Sequence, residues 1–212
     1  MKKKLLIILS IIVLLLIATY IFISYQEKKI KNLQSQITYL EDEFIPMAFE
    51  ISSNSNSEIK LKTVFYNLDG EKVGSKNLKL NGDELHIDFK VIDFSDDNYL
   101  FFPYGMMTDK MAATDIIPIY DAYDHNDFPE IYEGITELKD ENGNVADKTS
   151  KEKIEKDLKN KFMFIKTGQE DFSGDSHGVA IHDIKSISEY KKGFVYEIVC
   201  HPHTGAIESV LK

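Results

Sequence analysis

Arginine is absent from this chain: its 25 basic residues are all lysines. Without the planar guanidinium fork, bidentate recognition of phosphate or carboxylate has no residue to perform it. Cysteine occurs once, as Cys200, so an internal disulfide is excluded. The strand pattern around Cys200 predicts a small buried hydrophobe rather than a nucleophile, because only His201 lies close enough in sequence to lower its pKa. The catalytic sequence signatures are missing too. There is no G-x-S-x-G, P-loop, H-E-x-x-H or dinucleotide-binding fingerprint, and no catalytic residue is assigned.

Charge is divided unevenly. Residues 1–31 carry +5, and the remainder carries −15 of the overall −10. An acidic body repels phosphate backbones, which argues against nucleic-acid binding.

Residues 5–25 contain no charge and consist mainly of Leu and Ile. As a helix this run matches a hydrocarbon core of roughly 30 Å. It is too long for a signal-peptide core, and no small-residue cleavage site follows it. The expectation is an uncleaved signal anchor in the lipid bilayer, with residues 1–4 cytoplasmic and the rest outside. Lysines flank both ends, so orientation rests on the short basic start.

Ile30, Leu33, Ile37, Leu40 and Phe44 then follow a 3, 4, 3, 4 spacing. This is the seam of a short coiled coil. Residues 26–45 are read as a helical stalk stopped by Pro46, with a homodimer through that stalk or packing onto the chain's own domain as the two uses of the seam. Residues 46–58, containing "SSNSNSE", are read as a polar linker.

From residue 59 the period becomes two, and residues 59–212 are expected to form a β-rich domain. Ile59, Leu61, Thr63 and Phe65 share a face, and Asp69-Gly70 and Asn81-Gly82 supply turns. Leu85, Ile87, Phe89 and Val91 alternate with polar residues, which predicts a strand with one dry and one wet face carrying a solvated His86. In "NYLFFPYGMM" a buried strand is expected to end at Pro103. Residues 110–135 read as irregular. Asp121, Asp124 and Asp127 recur every third residue there, but the glycine of a calcium loop is missing, so a solvated acidic loop is expected. A polar helix is expected from about Asp147 to Lys161, capped by Thr149 or Ser150. "KFMFIKTG" reads as a strand, and up to three more strands follow. The expected class is α+β: a transmembrane helix and stalk, then a mainly antiparallel β domain with one packed surface helix.

"HPHTG" (residues 201–205) lies between two strand patterns, where proline and glycine suit a hairpin loop. The outline "VYEIV…TGAIESV" resembles the closing hairpin of PepSY-like domains, a likeness limited to a common strand–loop–strand and assigning no family. An alternative reading gathers His177, His182, His201 and His203 onto zinc in a metal-binding or hydrolytic domain. Their spacings match no standard zinc arrangement. The leading expectation is a non-catalytic, membrane-anchored, extracytoplasmic binding or adaptor protein of a bacterial-type cell envelope. It needs no cofactor and has a protein partner there.

Overall fold

The structure is a computed structural model that describes residues 43–55, 57–95, 98–135, 148–167, 177–183 and 190–212. The expected anchor and nearly all of the expected stalk lie outside these residues. Among the described residues no helix is long and apolar enough to cross a membrane.

Two antiparallel sheets carry the fold. The first contains β1 (Phe44–Ser55), β2 (Glu58–Tyr66), β3 (Lys72–Asn81), β10 (Val195–His201) and β11 (Ala206–Leu211), in the order β11-β10-β1-β2-β3. The second contains β4 (Leu85–Ser95), β5 (Asn98–Thr108), β6 (Ile117–Pro118) and β9 (His177–Asp183), in the order β6-β5-β4-β9. A two-stranded ribbon pairs β7 (Asp124–His125) with β8 (Phe128–Pro129). One helix, α1 (Lys148–Thr167), packs against the ribbon and the core. The class is therefore α+β and β-rich.

The expected period-two face of β2 is observed. Ile59, Leu61, Thr63 and Phe65 are all buried, and Gly70 closes the following turn at φ 75°, a conformation open to glycine. Three strands form in the C-terminal region, as expected, and Tyr196, Ile198 and Cys200 make the inner face of β10.

The expected polar linker is instead mostly β1, the middle strand of its sheet. Phe44, the expected last residue of the stalk seam, starts this strand and packs on Tyr132 with ring centroids 5.4 Å apart. Pro46 does not block the strand because it sits at a register shift opposite β10, before pairing with β2 begins at Met47. The serine-rich end pairs only with β2. There the main chain, with Ser52 Oγ donating to the Lys60 carbonyl at 3.0 Å, substitutes for apolar side chains.

"KFMFIKT" is the last part of α1 rather than a strand. Ile154, Leu158, Phe162 and Ile165 are buried at helical spacing, so the stripe continues past the expected end. The helix begins at Lys148, which puts Thr149 and Ser150 inside it rather than at the cap.

Nor does β5 end at Pro103. A bulge lets Phe89 pair with Pro103 and Asp88 with Gly105. Two tyrosines then take over the outer side of the strand. The Tyr132 hydroxyl accepts from Phe101 N–H at 2.6 Å and donates to Phe101 C=O at 3.0 Å. Tyr123 donates to the Pro103 carbonyl at 2.8 Å. Proline lacks only the N–H, and no neighbouring strand there requires one. Neighbouring strand residues point to opposite faces, yet Phe101 and Phe102 are both 0% exposed. The expected wet face of β4 is likewise partly covered, with Asp88 and Ile92 buried there.

Candidate functional site

A candidate site among the described residues is a cleft of about 500 Å³ at the end of β2, beside the ribbon and α1. Three segments bring polar groups to it. The turn after β2 contributes Asn67, Asp69 and Glu71. Asn67 is buried, and its Oδ1 accepts the N–H groups of Asp69 (3.1 Å) and Glu71 (2.8 Å), which fixes the turn. The stretch after the ribbon contributes Glu133 and Gly134. Gly134 has φ 90°, a conformation that favours glycine, and a Cβ there would stand 3.0 Å from Asp69 Oδ2. Finally, α1 contributes Glu155 and Lys159, four residues apart on one face. His125 stands at the rim, 3.8 Å from Glu130.

Four carboxylates thus face one lysine and one histidine, over a floor made by Phe128, Tyr132 and Ile135. Burial pushes the Tyr132 phenol well above its usual pKa, so it stays neutral. The arrangement offers acceptors and negative charge to a cationic or hydrogen-bond-donating group.

The recurring aspartates are tied to lysines rather than arranged as a calcium loop. Lys76 Nζ lies 2.7 and 2.8 Å from the two Asp121 oxygens and donates to the Pro118 carbonyl at 2.7 Å. Lys166 Nζ contacts Asp124 and Asp127 at 2.6 Å each. Between those two acids, Asn126 and Asp127 take φ values of 51° and 64°, the two left-handed positions of a tight hairpin turn. Burial lowers the pKa of Lys166, but its hydrogen bonds to Asp124 and Asp127 win and the net shift is upward. The period of three therefore encodes a ribbon stapled to α1.

The histidines are distributed over both sheets. His201 to Gly205 form the β10–β11 hairpin loop, as expected: the His201 carbonyl accepts from Thr204 N–H (3.1 Å) and Gly205 N–H (3.0 Å), and Gly205 has φ 70°. His201 Nε2 lies 2.9 Å from Glu208 Oε1, and His203 is exposed. His177 and His182 pair with Ile92 and Ile87 on β4, which separates them by about 16 Å along β9. The His177 end faces the loop's end of the fold, since Ile92 also pairs with Leu100 and Tyr99 N–H donates to the Pro202 carbonyl at 2.9 Å. His182 lies at the other end. Among the described residues no group of three or more His, Cys, Asp or Glu side chains is placed to hold a metal ion. Cys200 is buried in β10, and desolvation holds its thiol well above the usual range, which disfavours the reactive thiolate.

No protein family, curated protein or solved structure matches this chain.

The cleft residues gave almost no signal in the sequence. Asp69, Glu71, Glu133, Glu155 and Lys159 come from segments up to 90 positions apart and read individually as surface charge. The one local cue was Asn67 two residues before Asp69-Gly70, the pattern of a side-chain-fixed turn.

Proposed function

We propose that this chain is a membrane-anchored, extracytoplasmic binding or adaptor protein, whose acidic cleft receives a cationic segment of a partner in the cell envelope. The observation that carries the reading is the junction of two features in one chain. An uncharged apolar run at residues 5–25 is followed by an acidic β-rich domain with four carboxylates around one cleft. A tether confines the domain beside the bilayer and raises its effective concentration for neighbours in the same membrane. A carboxylate-lined cleft favours lysine- or arginine-bearing segments through charge complementarity.

The test is photocross-linking in intact cells, with a benzophenone side chain introduced in place of Glu133 and, as a control, in place of Lys79 on β3. A specific adduct at the cleft, recovered from membranes and lost in a Glu71→Lys, Glu155→Lys variant, is the expected result. Mature chain that begins after residue 25 in the soluble fraction would overturn the anchored reading. Adducts at Lys79 alone would overturn the cleft as the binding site. Stoichiometric zinc in the purified chain would favour the metal-binding alternative instead.

A further inference from the structure

We infer that β11 is the edge at which two copies of this chain join, strand to strand and antiparallel, about an axis through Ser209. The two edges of the five-stranded sheet differ. The outer strand β3 carries Lys72, Lys76 and Lys79, and at Gly74 the Ala122 carbonyl is packed so closely that a Cβ would stand 1.7 Å from it. Charge and cover of this kind protect an edge from further pairing. By contrast, β11 has no lysine before Lys212, and no described residue pairs with its outer side. Two of the four exposed large apolar side chains among the described residues lie on it: Val210 (44%) and Leu211 (50%).

The hydrogen-bond alternation fixes which groups face outward. Lys212 N–H donates to the Val195 carbonyl at 3.0 Å, so Lys212, Val210 and Glu208 turn their main chains toward β10. The N–H and C=O groups of Ile207, Ser209 and Leu211 therefore point away from the sheet. A second β11 placed antiparallel about Ser209 pairs Ile207 with Leu211 of the second copy and Ser209 with its own counterpart, each facing pair exchanging two hydrogen bonds.

The side chains on the face shared with Ile198 and Cys200 are self-complementary in this register. The exposed Leu211 gains an apolar neighbour in Ile207. Ser209 lies on the axis, with its hydroxyl buried inside its own copy on the side of Ile198. On the opposite face Glu208 stands across from Val210 of the second copy and keeps its own His201 at 2.9 Å, while Lys212 keeps its own Glu197 at 2.6 Å. Ile207 and Leu211 match each other under a two-fold rotation, which identifies a second copy of the chain as the occupant, because an isologous contact requires this symmetry.

The experiment uses the full chain purified in detergent, oxidised and read on a non-reducing gel. Ser209→Cys places two thiols about 5.5 Å apart at Cα, within disulfide reach, and is expected to give a covalent dimer. Ser75→Cys on β3 is expected to give none. Leu211→Lys sets a charge against Ile207 at both symmetric positions. In the Ser209→Cys background it should lower the cross-linked fraction about tenfold. The native Cys200 is buried and does not compete. Absence of the cross-link, or a cross-link indifferent to Leu211→Lys, would overturn the inference. So would a dimer by mass that the Ser209→Cys thiols fail to lock, since its contact would then lie elsewhere, as in a stalk.

Discussion

Replacing Tyr132 with phenylalanine removes one oxygen and leaves the ring in place. That oxygen serves both main-chain groups of Phe101, accepting the N–H at 2.6 Å and donating to the C=O at 3.0 Å. Both Tyr132 and Phe101 are 0% exposed, so water cannot replace the lost bonds. A buried main-chain group left unpaired costs about 1–3 kcal/mol. Two such groups set the expected loss at roughly 2–6 kcal/mol. For a chain of this size that corresponds to a fall in Tm of about 6–18 °C. Tyr123→Phe is the internal comparison, because that ring is equally buried but its hydroxyl serves only the Pro103 carbonyl, at 2.8 Å. Its cost should be about 1–2 kcal/mol. Denaturant titration followed by far-UV circular dichroism measures both variants. If Tyr132→Phe cost no more than Tyr123→Phe, the view that these hydroxyls stand in for a missing strand beside β5 would be refuted.

Lys166→Met should free the ribbon from α1 and leave Asp124 and Asp127 facing each other, at a cost of about 1–3 kcal/mol. Faster hydrogen exchange confined to residues 124–129 would check it, and unchanged exchange would contradict the staple. At alkaline pH, burial raises the folded-state pKa of Cys200 above 9.0 and those of Tyr123 and Tyr132 above 10.0. The folded chain then holds protons that the unfolded chain releases, so stability is full below pH 9 and falls above it, by about 1.4 kcal/mol per pH unit for each group in its window. Denaturant midpoints measured between pH 8 and 11 should decline, and a flat profile would refute the burial of these groups.

The strands with one apolar face and a marked turn were legible from residue order alone. β2, its Asp69-Gly70 turn, the period of β4 and the β10–β11 hairpin all rest on contacts between near neighbours. Elements failed to show in the sequence where distant partners decide the outcome. Nothing local tells that Ser52–Ser55 will be held by the main chain of β2, or that Pro103 will face two tyrosines from later in the chain. "KFMFIKT" suits both periods, and only the stripe begun at Ile154 decides for a helix. The cleft was illegible for the same reason: its acids belong to three segments that meet only after the sheets form. The aspartates at 121, 124 and 127 were visible as a pattern, but their meaning lay in Lys76 and Lys166, 39 to 45 positions away.

The place of β1 between β10 and β2 has a consequence for how the molecule is made. Its earliest described strand needs, along one side, a partner that starts at residue 195, so that side stays open until synthesis has passed that residue. Closure over so long a separation is entropically slow. During translation the nascent β1–β2–β3 meander must therefore wait with half of its central strand unzipped, and a chain cut short before residue 195 would be left with an unsealed seam through its middle.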